Sequence, residues 1–334
     1  MNLYTKVDIP ATNFKIDYSS RLAFFGSCFA DNISAQFAER KFKVMANPFG
    51  TVYNPISLAS QVKAIAEGKV FKDKDVFKDE RCDGLWHCWS AHSSLSAHTR
   101  EECINKLNAA TMQTRDFLQK ADIVFVTLGT SFVYFLKGNG EPVSNCHRQD
   151  PNLFTRRMIS VEEATDAIRK VVTSFRLLNP NTSIVLTVSP LRHMSDGAHN
   201  NTLSKATLQL AINEIVKRGS GIAASAGDFI EHFPSYEIVM DELRDYRFYE
   251  SDMVHLSRTA EEYIFERMAD TYCSEITRGH IAKVEKFLKG ARHRIQDESS
   301  PATQDFLKKI NAQAAHLETE IPGLNLSDEK RPVK

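Results

Sequence analysis

No run of apolar residues in this 334-residue chain approaches the length that crosses a bilayer. The first twenty residues, MNLYTKVDIPATNFKIDYSS, contain no apolar core of signal-peptide length. Net charge is missing too, because 42 Lys and Arg balance 42 Asp and Glu. No overall field draws the chain to nucleic acid or to an anionic membrane, and neither is expected as a partner. Cysteines number only six, scattered at positions 28, 82, 88, 103, 146 and 273. At this length they are not the dense framework of a disulfide-stapled scaffold, so reduced thiols and a cytoplasmic setting are expected. A phosphate-cradling P-loop and a dinucleotide glycine fingerprint after a strand are both lacking, so no organic cofactor is expected. There is no internal repeat and no low-complexity tract.

What is present is ordinary for a soluble globular protein: 42% of residues are hydrophobic and 25% charged. That allows one large domain or two smaller ones. Leu22 to Phe25 reads as a short buried strand, followed by Phe29, Ile33 and Phe37 on one helix face. KVMANPFGTVYNP gives a strand at 43–46 and then a bent loop, with Asn47-Pro48 and Asn54-Pro55 flanking Gly50. ADIVFVTLGTS and SIVLTVSP are uninterrupted apolar runs, which fit strands buried on both faces of a parallel sheet. A helical stripe from Val161 to Phe175 lies between them, and another, Leu208 to Ile215, follows. DFIEHF is a further strand candidate, and Thr259 with Glu262 fits a capping box opening a helix that carries Ile264 and Met268. Strands alternating with helices predict an α/β fold with a parallel sheet covered on both faces. The least regular part, 53–120, is expected to be an insertion or lid over the site. A catalytic domain over 1–280 and a helical extension over 281–334, ending in the polar SDEKRPVK, complete the expected organisation.

The stretch RLAFFGSCFADNISAQF at 21–37 carries the first chemical signal. Ser27 stands where a strand becomes a helix. Ligands of open parallel sheets bind beyond the carboxyl ends of the strands, and a helix N-terminus favours developing negative charge. The place suits a serine that attacks an acyl carbon, though from these residues alone a serine that merely caps the helix is the commoner case. A serine nucleophile needs a base, best a histidine held by a carboxylate. Asp252 and His255, in YRFYESDMVHLSRTAEEY, have the spacing for that.

Taken together the motifs resemble the GSCFA family, within the SGNH (GDSL-like) hydrolases. The resemblance rests on GSCFA at 26–30, NPFGTVYNP at 47–55, TLGTSFVY at 127–134, NCHR at 145–148, SPLRH at 189–193, LSKATL at 203–208, FPSYEIVMDELRDYRFY at 233–249 and DMVHLS at 252–257. It covers roughly residues 20–275. It implies a three-layer α/β/α sandwich with a parallel sheet of about five strands. It also implies Ser27 as nucleophile, His255 as base and Asp252 as the group orienting it. The SGNH pattern takes oxyanion donors from the nucleophile's own N–H, a glycine of a second block and an asparagine of a third. Gly50 matches the second block. The third block usually reads Gly-x-Asn-Asp, and here it is Gly129-Thr130-Ser131-Phe132. The amide donor is therefore missing, with Ser131, Asn47 or Asn145 as substitutes. One such donor is typically worth ~3 kcal/mol.

Other chemistry-bearing residues compete for attention. Cys28 adjoins Ser27, but adjacent side chains diverge on a strand-to-helix turn, and it reads as packing. Cys82, His87, Cys88, His92 and His98 are metal-ligand types with no trusted zinc spacing, so no metal is expected. Trp86 and Trp89, with His87 and His92, read as a lid or pocket wall. His147 with Arg148, and Arg192 with His193, follow predicted strands and suit an anionic or hydroxyl-rich substrate or simple rim ion pairs. Gly129, Thr130, Asn145, His147, His193 and Asn47 are the expected substrate contacts. The expected activity is hydrolysis of a small O-acyl ester, acetyl on a carbohydrate-like molecule among them, through an acyl-serine. An O-acyltransferase using the same intermediate and a non-catalytic binding protein are the alternatives.

Overall fold

The computed structural model describes residues 5–219, 230–293 and 300–332. Ten strands and nine helices fall, in chain order, as β1 Arg21–Gly26, α1 Cys28–Glu39, β2 Lys43–Ala46, α2 Pro55–Ala66, β3 Phe77–Lys78, β4 Trp86–His87, α3 Arg100–Leu118, β5 Ile123–Leu128, β6 Phe132–Leu136, β7 Pro142–Val143, β8 Phe154–Met158, α4 Val161–Leu178, β9 Ser183–Val188, α5 Ala198–Gly219, β10 Ile230–His232, α6 Ser235–Glu237, α7 Arg258–Tyr272, α8 Glu275–Ala291 and α9 Pro301–Glu320 among the described residues. Five strands form one sheet in the order β10-β9-β5-β1-β2, and every pair in it is parallel.

The apolar runs lack polar alternation because both faces of the sheet are covered. Leu22 and Phe24 of β1, with Ile123 and Phe125 of β5, pack into a core closed by α1, α7, α8 and α9. Ala23 and Phe25, with Val124 and Val126, pack into the opposite core under α2, α3, α4 and α5. Phe24 stacks on Phe125 with centroids 4.7 Å apart, while Phe25 meets Phe175 of α4 at 5.1 Å on the other side. The expected three-layer α/β/α sandwich with five parallel strands is what forms.

Topology then selects the site. From β1 the chain moves one way to β2, and β5 returns on β1's other side. The strand order reverses between β1 and β5, and ligands of doubly wound sheets bind in the crevice at that point. The carboxyl ends of β1 and β5 carry Ser27 and Gly129.

Several boundaries differ from the sequence reading. The 53–120 segment contains two regular helices of the sandwich, α2 and α3. Asn54-Pro55 is a helix start rather than a bend: the Asn54 side chain accepts from Ser57 N at 2.8 Å and Pro55 holds the first helical position. The irregular portion is 67–99, which carries the β3–β4 hairpin. β6, β7 and β8 form an antiparallel three-stranded sheet that sequence periodicity did not isolate. The capping residue of α7 is Ser257, which accepts from Ala260 N, so Thr259 lies inside the helix. A boundary at 280 falls within α8, and Ile281, Val284, Phe287, Ile310, Ala314, Leu324 and Leu326 join the same core as β1. Part of the DFIEHF strand candidate, Asp228 and Phe229, lies outside the described residues; Ile230–His232 is the strand β10.

Candidate active site

Gly26 ends β1 with φ +124°, and a Cβ there would lie 1.9 Å from the Thr127 carbonyl oxygen of β5. Only glycine fits this turn. Ser27 follows in the N-cap position of α1 with φ −70° and ψ 172°, but its side chain makes no capping hydrogen bond. Its Oγ is shielded from solvent and has no hydrogen-bond partner. The capping explanation of Ser27 is thereby removed. With no cap, the Cys28 and Phe29 N–H groups at the start of α1 find no backbone acceptor among the described residues.

Ser27 lies at the floor of a cavity of about 550 Å³, and His255 lines the same cavity. Asp252 and His255 are joined, Oδ2 to Nδ1, at 2.5 Å. The other carboxylate oxygen accepts from the Val254 and His255 N–H groups, each at 2.9 Å. A tight turn with Met253 at φ +59° makes that possible. The His255 contact, then those two backbone donors, hold the Asp252 carboxyl down at about 2. His255 Nδ1 is thus committed and Nε2 is not. Ser27 Oγ makes no hydrogen bond to His255.

The expected oxyanion donors depart from the sequence reading. Ser27 N donates to Thr127 O at 3.1 Å, Gly50 N to Asn47 O at 2.7 Å and Ser131 N to Ser204 Oγ at 2.7 Å. Ser131 Oγ is buried without a partner. Neither Gly50 nor Ser131 lines the cavity. Gly50 packs against His92, whose Cβ would be 2.0 Å from a Cβ placed there. Each N–H satisfies itself with the nearest acceptor that packing supplies: a carbonyl of the neighbouring strand for Ser27, a turn carbonyl for Gly50 and a hydroxyl of α5 for Ser131. The other backbone donors beside Ser27 are the first N–H groups of α1, Cys28 and Phe29, which face the Cys28 thiol rather than a backbone acceptor.

The expected substrate contacts divide. Gly129 sits beside Ser27, since a Cβ on it would lie 3.3 Å from Ser27 Cβ, from His193 Nε2 and from Tyr53. Thr130, Asn145 and His193 line the cavity. Asn47 does not; it is a strut, accepting from Gly26 N at 2.8 Å and donating to Asp31 at 2.7 Å. His147 is also withdrawn, with Nε2 on Cys88 O at 2.9 Å and its ring on His87 at 4.4 Å. No residue between 55 and 129 lines the cavity. Trp89 turns inward to stack on Phe77 at 3.8 Å, so the expected aromatic lid packs behind the wall. In that packing Asp79, Asp83 and His87 come together, with His87 donating or accepting at Ser96 Oγ (2.6 Å) and Asp83 (3.1 Å).

Residues not singled out from sequence complete the site. Tyr53, Asn54, Phe132, Tyr134, Cys146 and Arg156 line the cavity. Lys205 is fully buried on α5, its Nζ donating to Gly129 O at 2.6 Å and Ser189 O at 2.7 Å. Burial pulls its ammonium down to about 7. Burial, and then the Lys205 charge, lower His193 to about 4, so its imidazole is neutral at pH 7. A signal for Lys205 existed: it shares a helix face with the apolar Leu208 and Ile212. Cys28 lines the cavity as well, but burial first, then Asp31, raise its thiol.

The fold is thus an α/β three-layer sandwich that brings Ser27 and the Asp252-held His255 to one cavity at the switch point of its parallel sheet. The chain belongs to the GSCFA family, whose model matches residues 21–268. Among solved structures it is similar to a carbohydrate esterase family 3 protein from Talaromyces cellulolyticus, at 12% identity and TM-score 0.28, over 52% of this chain and 64% of that one. It is also similar to an acetyl xylan esterase, Est2A, from the rumen bacterium Butyrivibrio proteoclasticus, at 13% identity and TM-score 0.38, over 78% of this chain and 64% of that one. The matches thus span 64% of the length of each solved chain. No curated protein matches the chain.

Proposed function

We propose that this protein is a serine esterase that hydrolyses a small O-acyl ester, acetyl among them, on a carbohydrate-like alcohol. Ser27 Oγ attacks the acyl carbon while His255 Nε2 takes its proton. The bond from the acyl carbon to the alcohol oxygen breaks, and His255 returns the proton to the leaving alkoxide. Water, deprotonated by the same imidazole, then attacks the acyl-serine and releases the acid. Asp252 keeps the other imidazole proton on Nδ1 and faces the imidazolium formed during attack. The observation that carries the reading is the unpartnered Ser27 Oγ at the floor of a cavity shared with an Asp252-held His255. The N-terminus of α1 supports it, because its first N–H groups have no backbone acceptor and no side-chain cap among the described residues and suit an oxyanion. Phe132 and Tyr134 give the wall apolar surface beside the Arg156 guanidinium that lies over them, a mixed surface that suits a sugar ring.

The test is covalent labelling with a fluorophosphonate, beside turnover of a panel of acyl esters, on wild type and Ser27→Ala. Wild type should label and turn over, and the variant should do neither. A folded wild type that neither labels nor turns over any ester would leave a binding protein on this scaffold. Labelling with acyl passage to an added alcohol in place of water would make it an acyltransferase.

A further inference from the structure

The cavity beside Ser27 is lined by Arg156, Arg192, His193 and His255, and by no aspartate or glutamate. The two arginines differ in what they already hold. Arg156 is neutralised by Asp196 at 2.5 Å and lies over the Phe132 and Tyr134 rings at 4.3 and 5.2 Å. Arg192 has no carboxylate partner among the described residues. Its Nη2 makes only long contacts, to Ala198 O at 3.4 Å and Thr202 Oγ1 at 3.5 Å. Its Nε is shielded from water and has no hydrogen-bond partner.

The groups facing it do not supply the missing charge. Lys205, buried below, is itself cationic or neutral and bonds to carbonyls. His255 is held by Asp252. Arg192 also lines an adjoining groove of about 370 Å³, where Asp245 is the acid on the rim. Asp245 is occupied by Arg247 at 2.9 Å. A guanidinium without a counter-charge, half-buried at a reaction cavity, is a costly feature unless a ligand completes it. The planar fork of arginine matches a carboxylate or phosphate through two parallel N–H donors.

We infer that Arg192 is a specificity residue that binds an oxyanionic group, carboxylate or phosphate, on the alcohol part of the ester. The inference rests on the esterase reading for the word ester: the acyl group there is small, so the anion belongs to the alcohol. An O-acylated sugar acid or sugar phosphate is the substrate class that follows. His193, the next residue, stands beside Ser27, so the loop after β9 presents an anion-binding group and a neutral imidazole to the same cavity.

Two measurements test it. The first compares kcat/KM for an acetylated hexuronic acid, an acetylated hexose phosphate and the matched neutral acetylated hexose, on wild type, Arg192→Gln and Arg192→Lys. Wild type should prefer at least one anionic ester by about tenfold or more, as expected of a charge-assisted contact. Arg192→Gln should bring that ratio close to one, chiefly through KM, and Arg192→Lys should retain part of it. Preference for the uronate assigns a carboxylate, and for the phosphate ester a phosphate. A wild-type ratio near one, or a ratio that Arg192→Gln leaves unchanged, overturns the inference while leaving the esterase reading intact. The second measurement does not need turnover: calorimetric titration of glucuronate and of glucose phosphate into wild type and Arg192→Gln. Saturable binding lost in the folded variant supports the anion site even if no ester is cleaved. No binding of either by wild type overturns it.

Discussion

At the residue scale, the question is which of two adjacent side chains reacts. Ser27 Oγ is unpartnered at the cavity floor, whereas burial holds the Cys28 thiol protonated. Ser27→Ala should therefore lower kcat by at least about 10⁴-fold, while Cys28→Ala should stay within about tenfold of wild type. Steady-state kinetics with near-native circular dichroism for both variants checks this; the reverse order would move the nucleophile to sulfur. Asp252 and His255 are each about half exposed, with side-chain exposures of 49% and 54%. Water and the Asp252 backbone contacts then soften the loss of the carboxylate. Asp252→Asn should cost less than the ~10⁴-fold seen for a fully buried triad carboxylate. In the proposed mechanism Ser27 and His255 share one step, so the double variant Ser27→Ala/His255→Ala should be little slower than either single one. Multiplying losses in that kinetic cycle would mean that the two do not act together.

The element scale is set by how two strand ends are held. Gly26 lets β1 lie so close to β5 that a Cβ on it would stand 1.9 Å from Thr127 O, and Lys205 ties the ends of β5 and β9 through Gly129 and Ser189. Gly26→Ala should prevent soluble expression or cost several kcal/mol, since both φ and a backbone oxygen oppose it. Denaturant titration, or recovery in the insoluble fraction, reads that out. Lys205 gives a pH signature. Its native ammonium ionises near 7, against 10.5 for the free side chain. Between those values the unfolded chain holds the proton and the native one does not. Stability should thus rise as pH increases from about 7 to 10.5, and be lowest below 7, where burying the charge is fully opposed. Lys205→Met should flatten that rise. Guanidinium unfolding of both proteins across the range measures it, and equal slopes would show that the two carbonyls keep Lys205 charged throughout.

At the scale of the whole molecule, the C-terminal helices are part of the sandwich. Leu307, Ile310, Leu317, Ile321, Leu324 and Leu326 are all buried. At roughly 1.5–3 kcal/mol for each side chain, they bury as much free energy as the whole margin of ~5–15 kcal/mol that holds a domain folded. Ordering the segment offsets part of this, but its removal also uncovers Val284, Phe287 and Leu288 of α8. A chain ending at residue 293 should unfold at least about 5 °C lower or aggregate. Thermal unfolding against the full chain tests this, and an unchanged midpoint would make the segment an accessory.

What the sequence determined alone was local or periodic. The two-faced apolar runs specified buried parallel strands, and the step at Gly26-Ser27 specified the turn. Asp252 and His255 were legible because three residues of one loop settle their contact. The family resemblance implied Ser27 as their partner across the chain, and packing brings Ser27 and His255 to one cavity. The rest depended on contacts that no short window contains. Whether Ser27 N and Ser131 N remain open depends on Thr127, brought there by strand register, and on Ser204, brought there by the docking of α5. Lys205 reads as one more helical lysine until α5 docks it against two carbonyls. Arg192 and Arg156 look alike in sequence, and only the fold gives one of them Asp196 and leaves the other without a counter-charge. Hydrophobic period and chain turns are short-range properties, whereas the pairing of polar groups is decided by the neighbours that packing supplies.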